Sequence, residues 1–190
     1  FDNGTLAAHC VHLDDEDVAI IKKYGIRVAH NPGSNMKLAS GIAPVPRLLA
    51  EGVCVALGTD GASSNNNLDM LEEVNLAAML HKVASYDPEA VPAGEALRMG
   101  TAYGAKAVGL SDVGLLQEGY KADIVLFDMT SPAWVPRHDP VSLLVYSANV
   151  SSVDTVIVDG RILMRDKYVP GQEAIIAEAR EVARRLFKHA

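Results

Sequence analysis

The 190-residue chain is 49% hydrophobic and carries a formal net charge of −7, with a sequence pI near 5.3. It has enough apolar material to bury one or two domain cores, and its acidic balance argues against nucleic-acid and membrane partners while leaving a small-molecule site open. No apolar run reaches the length of a membrane span, the N-terminus lacks the basic-then-apolar order of a signal peptide, and Cys10 and Cys54 read as buried free thiols of a reducing, cytoplasmic compartment without metal spacing.

The chain begins at Phe1 and passes almost at once into TLAAHCV (5–11), so it is expected to continue something longer. TLAAHCV reads as a buried strand. DDEDVAIIKKYG reads as a helix, with Asp14 and Asp15 as candidate N-caps, apolar residues at Val18, Ile21 and Tyr24, and Gly25 as the stop. IRVAHN is a second strand. SGIAPVPRLLAEG is a loop and a short helix, prolines in front and Gly52 behind. VCVALGTD is a third strand, and LDMLEEVNLAAMLHKVAS a long helix with Leu68, Leu71, Leu76, Met79 and Leu80 on its apolar side. This alternation, with nearly continuous hydrophobic strands, implies an α/β fold of parallel strands covered by helices.

PAGEALRMGTAYGAKAVGL reads as one helix with Pro92 near its start. After residue 110 the pattern changes. VGLLQEGYKADIVLFDM is a turn and a strand, DPVSLLVYSA a short helix, and VDTVIVDGRILMRD a hairpin turning at Asp159-Gly160. The tail QEAIIAEAREVARRLFKH is an amphipathic helix striped by Ile175, Ile176, Ala179, Val182, Ala183 and Leu186. The expected units are 1–110, a small β-rich module over 111–168, and the C-terminal helix over 169–190.

Three side chains able to do chemistry fall near the C-terminal ends of the three predicted strands: His9, His30 and Asp60. In parallel α/β folds that is the functional edge. His9 and His12 form H-x-x-H, which on a regular strand sends the rings to opposite faces, so only His9 is expected to enter a site. His30 opens HNPGSN, a turn in which Ser34 and Asn35 are expected to satisfy backbone groups while the loop passes over a ligand. Asp60 is followed by small residues that let the backbone approach a ligand. A carboxylate there suits a hard or borderline metal ion, or takes a proton from an activated water. Asp69 and Asn66 lie nearer the next helix and suit its N-cap better than Asp60 does. Asp123 and Asp128 read as turn or surface acids. The residues alone lead as far as an α/β hydrolytic or ligand-binding edge.

AAHCVHL, AHNPGSNMKLASGIAPV, GTDGASSNNNLDM, EALRMGTAYGAKAVGL, GLLQEGYKADIVLFD, DPVSLLVYSA and VDTVIVDGR, in that order and spacing, resemble the C-terminal part of the amidohydrolase superfamily. Within it they look most like methylthioadenosine/S-adenosylhomocysteine deaminases. The resemblance implies strands six to eight of a (β/α)8 metallo-dependent hydrolase barrel plus part of a small β-sandwich. It implies that Asp60 binds the metal (zinc, with iron or another divalent ion as alternatives) and shuttles a proton from the attacking water. It implies that His9 contacts that water or the developing tetrahedral centre, and that His30 and Ser64 lie against the substrate.

The family's H-x-H after strand one is absent, as are the metal histidine after strand five and the glutamate three residues later. Of the six histidines, His81, His138 and His189 are not expected to replace them. The expectation is therefore the C-terminal portion of a zinc-dependent aminohydrolase acting on an adenosine-like nucleoside. Its partners would be the N-terminal part of the barrel and further copies of itself in a homo-oligomer. The alternatives are a non-catalytic complementing module, or a hydrolase of guanine, another amino-heterocycle or a chlorotriazine.

Overall fold

The computed structural model describes residues 4–187. Phe1, His189 and the end of the predicted tail helix lie outside them. Three short parallel strands, β1 (Leu6–Ala8), β2 (Arg27–His30) and β3 (Val55–Leu57), form a sheet in the order β1-β2-β3. In register, Ala7 faces Val28, Val28 faces Val55, and His30 faces Leu57. Side chains alternate across a sheet, so Val28 and His30 share one face. That face is the one helices cover, because Val28, Val55 and Leu57 join Ile21, Leu48, Val74, Ala77 and Met99 in the main buried cluster.

The connecting helices begin and end where local chemistry says they should. Helix α1 (Asp15–Lys23) starts with a capping box: Asp14 accepts from the Asp17 N–H and Asp17 accepts from the Asp14 N–H. Gly25 follows it with φ +60, the left-handed turn a glycine makes at least cost. After β2 comes α2 (Pro32–Lys37), then α3 (Val45–Ala50). After β3 come α4 (Ala62–Asn65) and the long α5 (Met70–Ser85). Asp69 caps α5, accepting from the N–H groups of Leu71 and Glu72, as its position suggested.

The predicted single helix from Pro92 is two, α6 (Ala93–Gly100) and α7 (Ala102–Ala107), broken at Thr101 with φ −128° and ψ −95°. The C-terminal residues form a second, antiparallel sheet of β4 (Ile124–Phe127), β5 (Val153–Val158) and β6 (Arg161–Met164). Helix α8 (Pro140–Tyr146) precedes β5, and α9 (Gln172–Leu186) ends the described chain. The β5–β6 hairpin turns at Asp159 and Gly160, both with positive φ, as Asp-Gly does in a two-residue turn. The Asp123 carboxylate accepts from the Asp159 N–H at 2.7 Å, so it is indeed a turn acid.

Two further expectations are corrected. The first strand stops at Ala8, because His9 (φ 65°) and Cys10 (φ 50°) take left-handed backbone, which no strand continues. Helix α5 does not bury its leucine and methionine stripe: Met79 is half exposed, and the buried face is Glu73, Val74, Ala77, Ala78 and His81. Small alanines let this helix lie close to the sheet, which pushes the larger apolar residues to its flanks. The tail helix forms as expected in α9, and among the described residues nothing buries its apolar stripe. Among the described residues, no helix is long and apolar enough to cross a membrane.

Candidate active site

The site is built where β1, β2 and β3 release the chain. The Gly58 N–H donates to the His30 carbonyl at 3.0 Å, continuing the β2–β3 ladder by one bond. A Cβ on Gly58 would come within 2.8 Å of Asn31 Nδ2, so any larger residue would force that buried amide to shift. Two residues later Asp60 sits at φ 62°, a conformation Asp tolerates better than most residues and one that aims its side chain off the strand line.

Two hydroxyls converge on one oxygen of that carboxylate. Ser34 Oγ–H and Ser64 Oγ–H each donate to Asp60 Oδ2 at 2.7 Å. With the Gly61 amide they favour the anion, and His9 adds a weaker attraction; the carboxyl is held down to about 2, with the Ser34 bond as the largest cause. Asp60 is therefore ionised at neutral pH.

His9 arrives from β1. Its N–H donates to the Ala29 carbonyl at 2.8 Å, and the left-handed backbone swings the ring towards β3. Its Nδ1 is 2.9 Å from Asn35 Oδ1, and its Nε2 is 4.0 Å from Asp60 Oδ2. Ser34 and Asn35 were expected to satisfy backbone groups. Instead they send their side chains to Asp60 and His9, because the short α2 turns consecutive residues towards both strand ends.

What fixes α2 lies on α5. Glu73 is 1% exposed, and its carboxyl accepts from the Gly33 N–H at 3.0 Å and from Asn65 Nδ2 at 2.7 Å. Burial pushes its pKa up, against the pull of those two bonds. Lys37 Nζ ties the other end of α2 to α4 through the Ser63 carbonyl at 2.9 Å and Asn66 Oδ1.

His30 goes elsewhere. It is fully buried on the helix-covered face of the sheet, and its Nε2 lies 3.1 Å from Nε2 of His81 on α5. Burial drives both imidazoles down, His30 to about 3 and His81 to about 4, so both are neutral at physiological pH. The ring that was expected against substrate is therefore placed against His81 in the helix layer, where His9 is still near enough to lower its pKa further. The structure thus brings together Asp60, His9 and Ser64, gives Ser34 and Asn35 side-chain roles there, and adds behind them Glu73 and His81, for which sequence reasoning found no role. Glu73 and His81 lie eight residues apart with Ala77 between them, one line along a helix, and that spacing was the available signal.

Asp60 and His9 Nε2 are donor types that divalent transition metals accept. They fit part of such a site: among the described residues no group of three or more His, Cys, Asp or Glu is placed to hold a metal ion. The Asn35 bond on His9 Nδ1 leaves Nε2 as the nitrogen nearer Asp60, and the low pKa of Asp60 suits a cation.

The amidohydrolase family model matches residues 1–163. A 5-methylthioadenosine/S-adenosylhomocysteine deaminase of Pelotomaculum thermopropionicum is 55% identical over 188 residues, which cover 98% of this chain and 43% of that protein. One from Dictyoglomus thermophilum is 54% identical over 190 residues, with 99% and 45% covered. An adenosine deaminase from Xanthomonas campestris with bound zinc superposes with a TM-score of 0.91 at 35% identity, over 95% of this chain and 42% of that one. An atrazine chlorohydrolase from Arthrobacter aurescens complexed with zinc gives 0.86 at 31% identity, over 93% and 40%. The chain spans less than half the length of these relatives.

Proposed function

Because the chain belongs to the amidohydrolase family, we propose that it carries the Asp60–His9 edge of a metal-dependent aminohydrolase site that removes the amino group of an adenosine-like nucleoside. In this reading β1, β2 and β3 stand as strands six to eight of a (β/α)8 barrel, and β4–β6 form part of a small β-sandwich. The remaining metal donors come from residues outside this chain. The single observation that carries the reading is an ionised carboxylate, held by two hydroxyls at 2.7 Å, facing an imidazole nitrogen 4.0 Å away at the end of parallel strands.

A bound divalent ion such as zinc would make water nucleophilic at neutral pH by dropping its pKa to about 7. Asp60 and His9 Nε2 are the groups of this chain that face such an ion or its surroundings. Asp60 stays anionic throughout the neutral range, so it offers both negative charge and a place for the proton that water loses. Ser34 and Ser64 keep Oδ2 in position while that transfer occurs. In this reading Ser64 also lies against the nucleoside.

The test is ammonia release from adenosine, methylthioadenosine and S-adenosylhomocysteine by the full-length protein. Asp60→Ala is expected to abolish turnover with the fold intact by circular dichroism. Turnover that survives the substitution sinks the assignment.

A further inference from the structure

Asn35 is 1% exposed, and its Oδ1 lies 2.9 Å from His9 Nδ1. A carbonyl oxygen only accepts, so the ring nitrogen facing it carries the hydrogen. In a neutral imidazole the other nitrogen then holds a lone pair. That nitrogen, Nε2, faces Asp60 Oδ2 at 4.0 Å.

We infer that Asn35 is a positioning residue that holds His9 as the Nδ1–H tautomer, so that Nε2 presents its lone pair to the space beside Asp60. The inference rests on reading the Asp60 edge as hydrolytic, and it changes what His9 does there. Steadying a developing oxyanion requires a donor at Nε2. The geometry gives a lone pair instead, which suits accepting an O–H from the incoming water or binding the cation directly.

Three features make Asn35 fit this role. Its amide is buried, yet its Nδ2 has no partner among the described residues, so the bond to His9 is what the side chain gains. Its backbone is held at both ends, the N–H donating to the Asn31 carbonyl and the carbonyl accepting from the Ser40 N–H, each at 2.9 Å. Its neighbour Ser34 grips Asp60, and Glu73 pins the same turn through Gly33. One six-residue helix therefore sets the ring of His9 and the carboxylate of Asp60 together.

The experiment is imidazole 15N NMR on the labelled chain at about pH 8.5. The wild-type chain is expected to show His9 Nδ1 at the protonated end of the imidazole range and Nε2 at the unprotonated end. Asn35→Asp retains an acceptor and is expected to keep that signature. Asn35→Leu removes the acceptor and is expected to lose it, the Nδ1 signal moving towards the unprotonated end. Wild-type His9 in the Nε2–H form, or an unchanged signature in Asn35→Leu, overturns the inference. Should Asn35→Leu fail to fold, the wild-type and Asn35→Asp spectra still decide. The measurement needs neither metal nor substrate. A full-length protein with no deaminase activity would therefore sink the functional reading and leave this assignment standing, and the opposite tautomer would do the reverse.

Discussion

Gly33→Ala should damage the protein through one atom. A Cβ built on Gly33 would stand 2.3 Å from Glu73 Oε1, 3.0 Å from Asn65 Nδ2 and 3.2 Å from Glu73 Cδ. A carboxylate at the end of a flexible chain would ordinarily step aside. This one is 1% exposed and holds two hydrogen bonds, so stepping aside breaks the contacts that fix α2 to α5 and α4. Overpacking a buried site costs about 1–3 kcal/mol, and leaving a buried hydrogen-bonding group unpaired costs a similar ~1–3 kcal/mol. A loss of about 3 kcal/mol is expected, which at about 2–4 °C per kcal/mol for a chain of this size lowers the thermal midpoint by roughly 6–12 °C. The assay is a double-mutant cycle by thermal or urea denaturation. Gly33 lies in α2 without left-handed backbone, so in a Glu73→Ala background the added methyl loses both carboxyl clashes and meets only Asn65 Nδ2, whose own bond to Glu73 is gone and which is free to shift. There it should be neutral or mildly stabilising, because alanine favours helix by up to about 1 kcal/mol over glycine. The two substitutions should therefore be strongly non-additive. An equal cost for Gly33→Ala in both backgrounds refutes the reasoning.

The other expectations rest on burial and on the donor set. His30 and His81 are pushed down to about 3 and about 4, while unfolded imidazoles titrate near 6.5. Below that value the unfolded chain binds more protons than the folded one. Stability should be full above about pH 6.5 and fall as the pH drops towards 4, by up to ~1.4 kcal/mol per pH unit for each ring. A urea midpoint that stays flat between pH 7.5 and 5 would contradict the buried neutral pair. With no group of three or more His, Cys, Asp or Glu placed to hold a metal among the described residues, elemental analysis of the 190-residue protein after dialysis should find far less than one zinc per chain; about one tightly held zinc would mean that the donor set has been misread. Removing residues 172–190 should leave the thermal midpoint within about 2 °C, because none of α9 is buried and changes at exposed positions stay near 0.5 kcal/mol. A large drop would reveal a partner for its apolar stripe.

Signals that are local in the chain were legible. Asp14 and Asp69 cap their helices, Gly25 and Gly52 end theirs, and Asp159-Gly160 turns a hairpin, because each of these is decided by a few neighbouring backbone groups. Asp60 and His9 could be picked out for a related reason. A parallel strand delivers whatever follows it to one edge of the sheet, so position along the chain already implies position in space. His30 shows the limit of that rule. It ends β2 as plainly as His9 follows β1, but the two-residue alternation that buries Val28 buries His30 beside it, whereas left-handed backbone at His9 breaks the alternation and frees the ring.

The spacing of Glu73 and His81 put them on one line, but their roles depend on which helix face meets the sheet. Glu72 and Glu73 look alike in sequence, and only Glu73 turns inward. A leucine-rich flank outweighs two alanines in any hydrophobic pattern, yet the alanines permit the closer approach, and the polar residues in line with them are buried as a result. That burial is costly for a carboxyl and an imidazole unless they are bonded. Glu73 is bonded to the turn that carries Ser34 and Asn35, and His81 to the strand end that precedes it. Both polar side chains buried by α5 thus converge on His30–Asn35, the segment that orients Asp60 and His9. Helix α5 contributes no side chain that faces the Asp60–His9 edge, yet its two least hydrophobic buried residues fix that edge's geometry.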